Sequence, residues 1–89
     1  MMASYRIILK PSVQKDLRNL PKETAGRVFQ HIENLKDDPL PRQSIKLAGA
    51  EHLYRIRVGD YRIIYEIDHE AGEISVIYVR HRRDVYRSI

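Results

Sequence analysis

Leu53-Tyr54-Arg55-Ile56-Arg57-Val58-Gly59-Asp60-Tyr61-Arg62-Ile63-Ile64-Tyr65 is the stretch on which the fold turns. Its first six residues alternate. Tyr54, Ile56 and Val58 fall on one side of an extended strand, and Arg55 and Arg57 on the other, because successive side chains of a strand point to opposite faces. Gly59-Asp60 is a two-residue turn signal of the kind that closes a hairpin. Residues 61–67, YRIIYEI, then return as the neighbouring strand. An apolar side backed by a charged side predicts a sheet with one face on a core.

Downstream, residues 68–72, DHEAG, read as a loop closed by Gly72, and 73–80, EISVIYVR, as a further strand. Two consecutive meander hairpins make these three strands antiparallel. Upstream, residues 4–10, SYRIILK, predict a first strand. Pro11 suits the first turn of a helix, where its missing N–H costs nothing. Val13, Leu17 and Leu20 continue at helical spacing until Pro21. A second helix runs from about Lys22 to Lys36, with Ala25, Val28, Phe29, Ile32 and Leu35 in one apolar stripe. Asp37, Asp38, Pro39 and Pro41 end it. Helices so close in sequence form a hairpin. The expectation is therefore α+β: a single domain over residues 1–89 in the order β-α-α-β-β-β, its antiparallel sheet covered on one face by the helical hairpin. The polar tail HRRDVYRSI is expected to form one helical turn.

Composition narrows the function. A chain of 89 residues supports one domain, and a hydrophobic share of 43% is enough to fold it. There is no cysteine, so neither a disulfide framework nor a thiolate metal site is available. That fits a reducing cytoplasm. The N-terminal apolar run, Ile7 to Leu9, is too short for an export signal or a membrane span. The net charge is +4, which suits a polyanion or an acidic protein. Arginine and lysine are unevenly spread: eight of 11 arginines lie from Arg42 to Arg87, whereas four of five lysines precede residue 40. The C-terminal half thus uses the residue whose planar fork grips phosphate.

Two constellations could carry chemistry. Arg55 and Arg57 share a strand face, and the tight turn returns Arg62 beside it. Three guanidinium groups there could hold a phosphate and the charge it gains during cleavage; a solvated strand face would show the same pattern. The second is Arg80-His81-Arg82-Arg83-Asp84-Val85-Tyr86-Arg87, four arginines against one aspartate, with Tyr86 able to stack on a base. Its bland counterpart is a basic terminus. His31, His52, His69 and His81 have no metal-ligand spacing, so no metal and no cofactor is expected. His52 and His81 flank the arginine strands, and imidazole titrates near neutral pH.

Lys46-Leu47-x-Gly49, the Leu53–Tyr65 stretch and His81-Arg82-Arg83-Asp84-Val85-Tyr86-Arg87 together resemble the RelE family of the RelE/ParE toxin superfamily, over nearly the whole chain. The resemblance implies a microbial-ribonuclease-like fold and a toxin of a type II toxin-antitoxin system, restrained by a RelB-like or other cognate antitoxin. It also implies a metal-independent endoribonuclease that cuts messenger RNA in the ribosomal A site. The ribose 2′-hydroxyl attacks the adjacent phosphate, giving 2′,3′-cyclic phosphate and 5′-hydroxyl ends. Carried over residue by residue, Arg55 and Arg57 match two active-site lysines of the family, Arg62 and Arg80 two arginines, and Tyr86 a tyrosine that orients the substrate base. His81, Arg82 and Arg83 are expected to bind RNA. Arginine is a poor general base where the family has lysine, which leaves Tyr86, His81, Glu51 or a water as proton acceptor. The same fold serves ParE-like toxins, which poison DNA gyrase by binding, and a catalytically degenerate homologue would keep only its antitoxin contact.

Overall fold

In the computed structural model, which describes residues 4–81, the chain runs β1 (Arg6–Leu9), α1 (Pro11–Arg18), α2 (Lys22–Asn34), β2 (Ile45–Lys46), β3 (Leu53–Val58), β4 (Tyr61–Asp68) and β5 (Glu73–His81). The prolines place the helices. Pro11 opens α1 at its first position, and Pro21 stands at the N-cap of α2. The conformational restriction that a proline puts on the residue before it separates the two helices. The second helix stops two residues short of its expected end. Leu35 and Lys36 donate their backbone N–H groups only three residues back, to Ile32 and Glu33, the tightened last turn common at helix ends.

The three strands of the quoted region form the predicted meander. Gly59, with φ of 59°, makes the β3–β4 turn, and Val58 pairs with Tyr61 across it. Two expectations need correction. The sheet is mixed, because β1 pairs with β5 in parallel. The helical hairpin carries the chain from one edge of the sheet to the other, giving the order β1-β5-β4-β3-β2, and such a crossover is what parallel pairing requires. The sheet also has a fifth strand. Only two residues long, β2 sets Ile45 against Arg55 and Lys46 against Tyr54, too short a run to leave an alternation in the sequence.

Val13 of α1, Val28 and Ile32 of α2, and Leu35 pack on Ile56, Val58, Ile63, Tyr65, Ile67, Ile74, Val76 and Val79 of the sheet. Tyr65 is fully buried. Its hydroxyl donates to the Pro39 carbonyl at 2.8 Å and its ring stacks on Tyr54. Burial pushes the phenol up to about 12, against a smaller opposing hydrogen bond with Ser44. Phe29 departs from the expected stripe and is 46% exposed. Val28, Ile32 and Leu35 form the narrow seam that meets the sheet, and Phe29 sits one residue, about 100°, around the helix from Val28.

Candidate phosphate-binding face

Strand pairing places the arginines. Residues directly opposite one another in neighbouring strands project from the same face. Arg57 opposes Arg62 across β3 and β4, and Arg62 opposes Arg80 across β4 and β5. Three arginines on three adjacent strands therefore form one transverse row, on the face away from the helices.

Arg80 reaches that row because of a β-bulge. From Asp68↔Glu73 to Tyr65↔Val76 the β4–β5 pairing is regular, but beyond it Ile64 pairs with Tyr78. Ile77 is the extra residue. Had the regular register continued through Ile77, Arg62 would face Val79, and Arg80 would point into the core, since a slip of one residue exchanges the two faces of a strand. With the bulge, Val79 joins the core while Tyr78 and Arg80 turn to the other side.

The three side chains differ in their surroundings. Arg62 is only 7% exposed, and among the described residues its guanidinium bonds the Tyr61 carbonyl at 3.3 Å. Arg57 is exposed and donates from Nε to the Gly59 carbonyl at 3.1 Å. Arg57 is thus pinned by a carbonyl of the β3–β4 turn and Arg62 by that of the first residue of β4. Arg80 has an anionic partner: Nη1 lies 2.6 Å from Asp16 Oδ2 on α1. Its guanidinium carbon also lies 5.1 Å from the centre of the Tyr78 ring, within cation–π range. One carboxylate therefore offsets three cations. Like charges directly opposed on a sheet are unfavourable, and Ile64, two residues along β4 from Arg62, is buried outside the core cluster. An apolar floor of this kind weakens screening. A doubly or singly charged oxyanion would relieve the row.

The remaining candidates are dispersed. Arg55 lies on the same face but opposes Ile64 and Ile45, so it flanks the row two residues along β3. His81 opposes Tyr61, with the two rings edge-to-face at 5.3 Å. Strand alternation sends it to the side opposite Arg80. Glu51 and His52 are exposed and lie 3.8 Å apart, before the start of β3. They precede Arg57 by six and five residues, beyond the end of β3 opposite the row. Arg82, Arg83 and Tyr86, and the helical turn expected of the tail, lie outside the described residues. Among the described residues no group of histidines and carboxylates is placed to hold a metal ion. No helix there is long and apolar enough to cross a membrane. Asp16 was not singled out from the sequence. Its position after Lys15 on a short helix gives no hint of a partner 64 residues away.

A five-stranded mixed sheet with two helices on one side is the fold of the RelE structures that the chain matches. The chain belongs to the ParE toxin family of type II toxin-antitoxin systems, whose sequence profile matches residues 7–86, and it stands close to RelE within the RelE/ParE superfamily. It is 31% identical over 88 residues to toxin RelG of Mycobacterium tuberculosis, covering 93% of this chain and 97% of that protein. A chain of the archaeal RelE-RelB complex from Pyrococcus horikoshii superposes with a TM-score of 0.80 at 34% identity, over 89% of this chain and 96% of that one. Isolated RelE of E. coli, at 20% identity, has the same fold, with a TM-score of 0.78 over 97% of this chain and all of the other.

Proposed function

We propose that the chain is a ribosome-dependent endoribonuclease that cleaves messenger RNA in the A site, and that a cognate antitoxin of RelB type restrains it. The observation that carries this reading is the in-register row of Arg57, Arg62 and Arg80. In the proposed reaction the ribose 2′-oxygen attacks the adjacent phosphorus and the 5′-oxygen leaves. The products are a 2′,3′-cyclic phosphate and a 5′-hydroxyl. Charge grows on the non-bridging oxygens as the 2′-oxygen approaches, and forks already fixed in place stabilise that charge without reorganising. Arg62 is the central group of the site, because its burial makes its charge least screened. Arg57 and Arg80 flank it, and Arg55 contacts the RNA backbone beside the row. Arg82, Arg83 and His81 extend the basic surface, and Tyr86 stacks on the base. With Glu51 beyond the far end of β3 and His81 on the other face, Tyr86 or a water takes the 2′-proton.

Support for the antitoxin comes from the RelE-RelB complex that the chain resembles and from the basic sheet face, which suits an acidic, extended segment that orders on binding. The test is cleavage of a defined message on programmed ribosomes. Cuts in the A-site codon whose downstream ends accept phosphate from a polynucleotide kinase without prior phosphatase treatment are expected. The matching profile is named for ParE, so a gyrase supercoiling assay belongs beside it. Loss of supercoiling with the message intact would replace the nuclease with a gyrase inhibitor.

A further inference from the structure

The β1 strand ends at Leu9, paired with Val76, and leaves the outer edge of β5 open from Ile77 onward. Helix α1 takes over that edge. Ser12 donates its hydroxyl to the Ile77 carbonyl at 3.3 Å, and Asp16 accepts the Val79 N–H at 3.3 Å. The two residues are four apart on α1, so they stack on one helix face, and they meet two backbone groups on the same edge of the strand. Asp16 is thereby held in place by backbone, independently of any side chain on the sheet. The same Oδ2 atom also receives Arg80 Nη1 at 2.6 Å. Asp16 is the one acidic side chain among the described residues that pairs with a member of the row.

We infer that Asp16 is a positioning residue: it fixes the guanidinium of Arg80 against repulsion from Arg62 and so sets how that fork meets the scissile phosphate. The effect on rate rests on the nuclease reading; the effect on Arg80 itself does not. A carboxylate beside Arg80 has two opposite consequences. It removes one unit of positive charge from the row, which weakens attraction for the RNA backbone. It also holds a long, flexible side chain in one orientation, and orientation counts at the transition state. Taking the charge away should therefore leave binding as tight or tighter while slowing the chemical step. A residue that only sealed the strand edge would not give that split.

Asp16→Asn isolates the charge, because its amide oxygen still accepts from the Val79 N–H. Single-turnover cleavage on programmed ribosomes should fall by roughly tenfold or more, with ribosome affinity unchanged or improved. In an Arg80→Ala background the same substitution should cost nothing further, since Asp16 acts through Arg80. Nitrogen relaxation of the Arg80 Nε–H group should show it ordered in the wild type and loosened in Asp16→Asn, with the Arg57 group unaffected. An equal rate loss in both backgrounds, or an Arg80 side chain equally ordered in both proteins, would assign Asp16 to edge sealing alone and overturn the inference. Should Asp16→Asn fail to fold, Asp16→Glu keeps the charge and displaces it by one methylene. Its rate loss should likewise appear only when Arg80 is present. If the wild-type chain cuts no message, the nuclease reading falls, and the relaxation measurement still decides whether Asp16 holds Arg80.

Discussion

Arg62 and Ile63 are neighbours in the chain, both nearly sealed from solvent at 7% and 0% exposure, yet they serve opposite ends. Ile63 faces the helices and is surrounded by apolar side chains that all gain from its presence. Arg62 faces away from them, with an arginine directly across each neighbouring strand. One side of β4 is arranged so that every contact favours the folded chain. The other collects like charges that disfavour one another. Burial alone therefore does not distinguish the two faces of β4; the chemistry of the cross-strand partners does.

The contrast can be broken first at Ile63. Ile63→Ala should lower unfolding free energy by about 2–5 kcal/mol, the usual cost of emptying a packed core site. Urea denaturation would read that loss, and cleavage per folded molecule should stay near the wild-type value. A specific loss of rate without loss of stability would mean that the two faces are not separable.

Arg62→Ala should behave in the opposite way. Single-turnover cleavage should fall by roughly a hundredfold, the scale of removing one fixed charge from an oxyanion site, and Arg80→Ala should behave similarly. Arg62→Met, which fills the space without the charge, should raise the melting temperature by relieving the row. Wild-type rates in these variants would return the arginines to a solvated face.

Tyr65 sharpens the core side of the comparison. Tyr65→Phe should cost about 1–3 kcal/mol, because the Pro39 carbonyl loses its buried donor. The folded phenol, raised to about 12 from 10.0, holds its proton more tightly than the unfolded one. Its contribution is fully present below pH 10 and is lost as pH rises toward about 12. Stability measured across that window should fall less steeply in the phenylalanine variant. The smallest effect is expected at the exposed flank of the row: Arg57→Lys keeps the charge and should change the cleavage rate by no more than about threefold.

Much of this was legible in the sequence. Alternation in residues 53–58 gives the two faces of β3, and a two-residue turn at Gly59-Asp60 places Arg57 against Arg62 by counting alone. The prolines mark both helices. Arg80 could not be placed by counting, because EISVIYVR carries apolar residues at nearly every position and hides the bulge at Ile77. The parallel β1–β5 pair was equally hidden, since the sequence signal of a strand does not name its neighbour. The two residues of β2 are too few to form a pattern. Phe29 was misplaced because a helical stripe drawn from hydrophobicity is wider than the seam the sheet covers. The Asp16–Arg80 pair joins residues 64 apart and exists only once α1 lies along β5.

The place of β5 in the sheet has a consequence for how the chain comes into being. It is the last of the described strands to be synthesised, yet it lies inside the sheet, between β1 and β4, and Arg6 meets Glu73 across 67 residues of sequence. The first strand and both helices have no complete platform until β5 has been made, and contacts this distant close late. Nor does the arginine row exist before then, since Arg80 is its third member. For a chain whose proposed target is the translating ribosome, the topology acts as a delay: the arginine row cannot assemble until β5 has been synthesised and has entered the sheet.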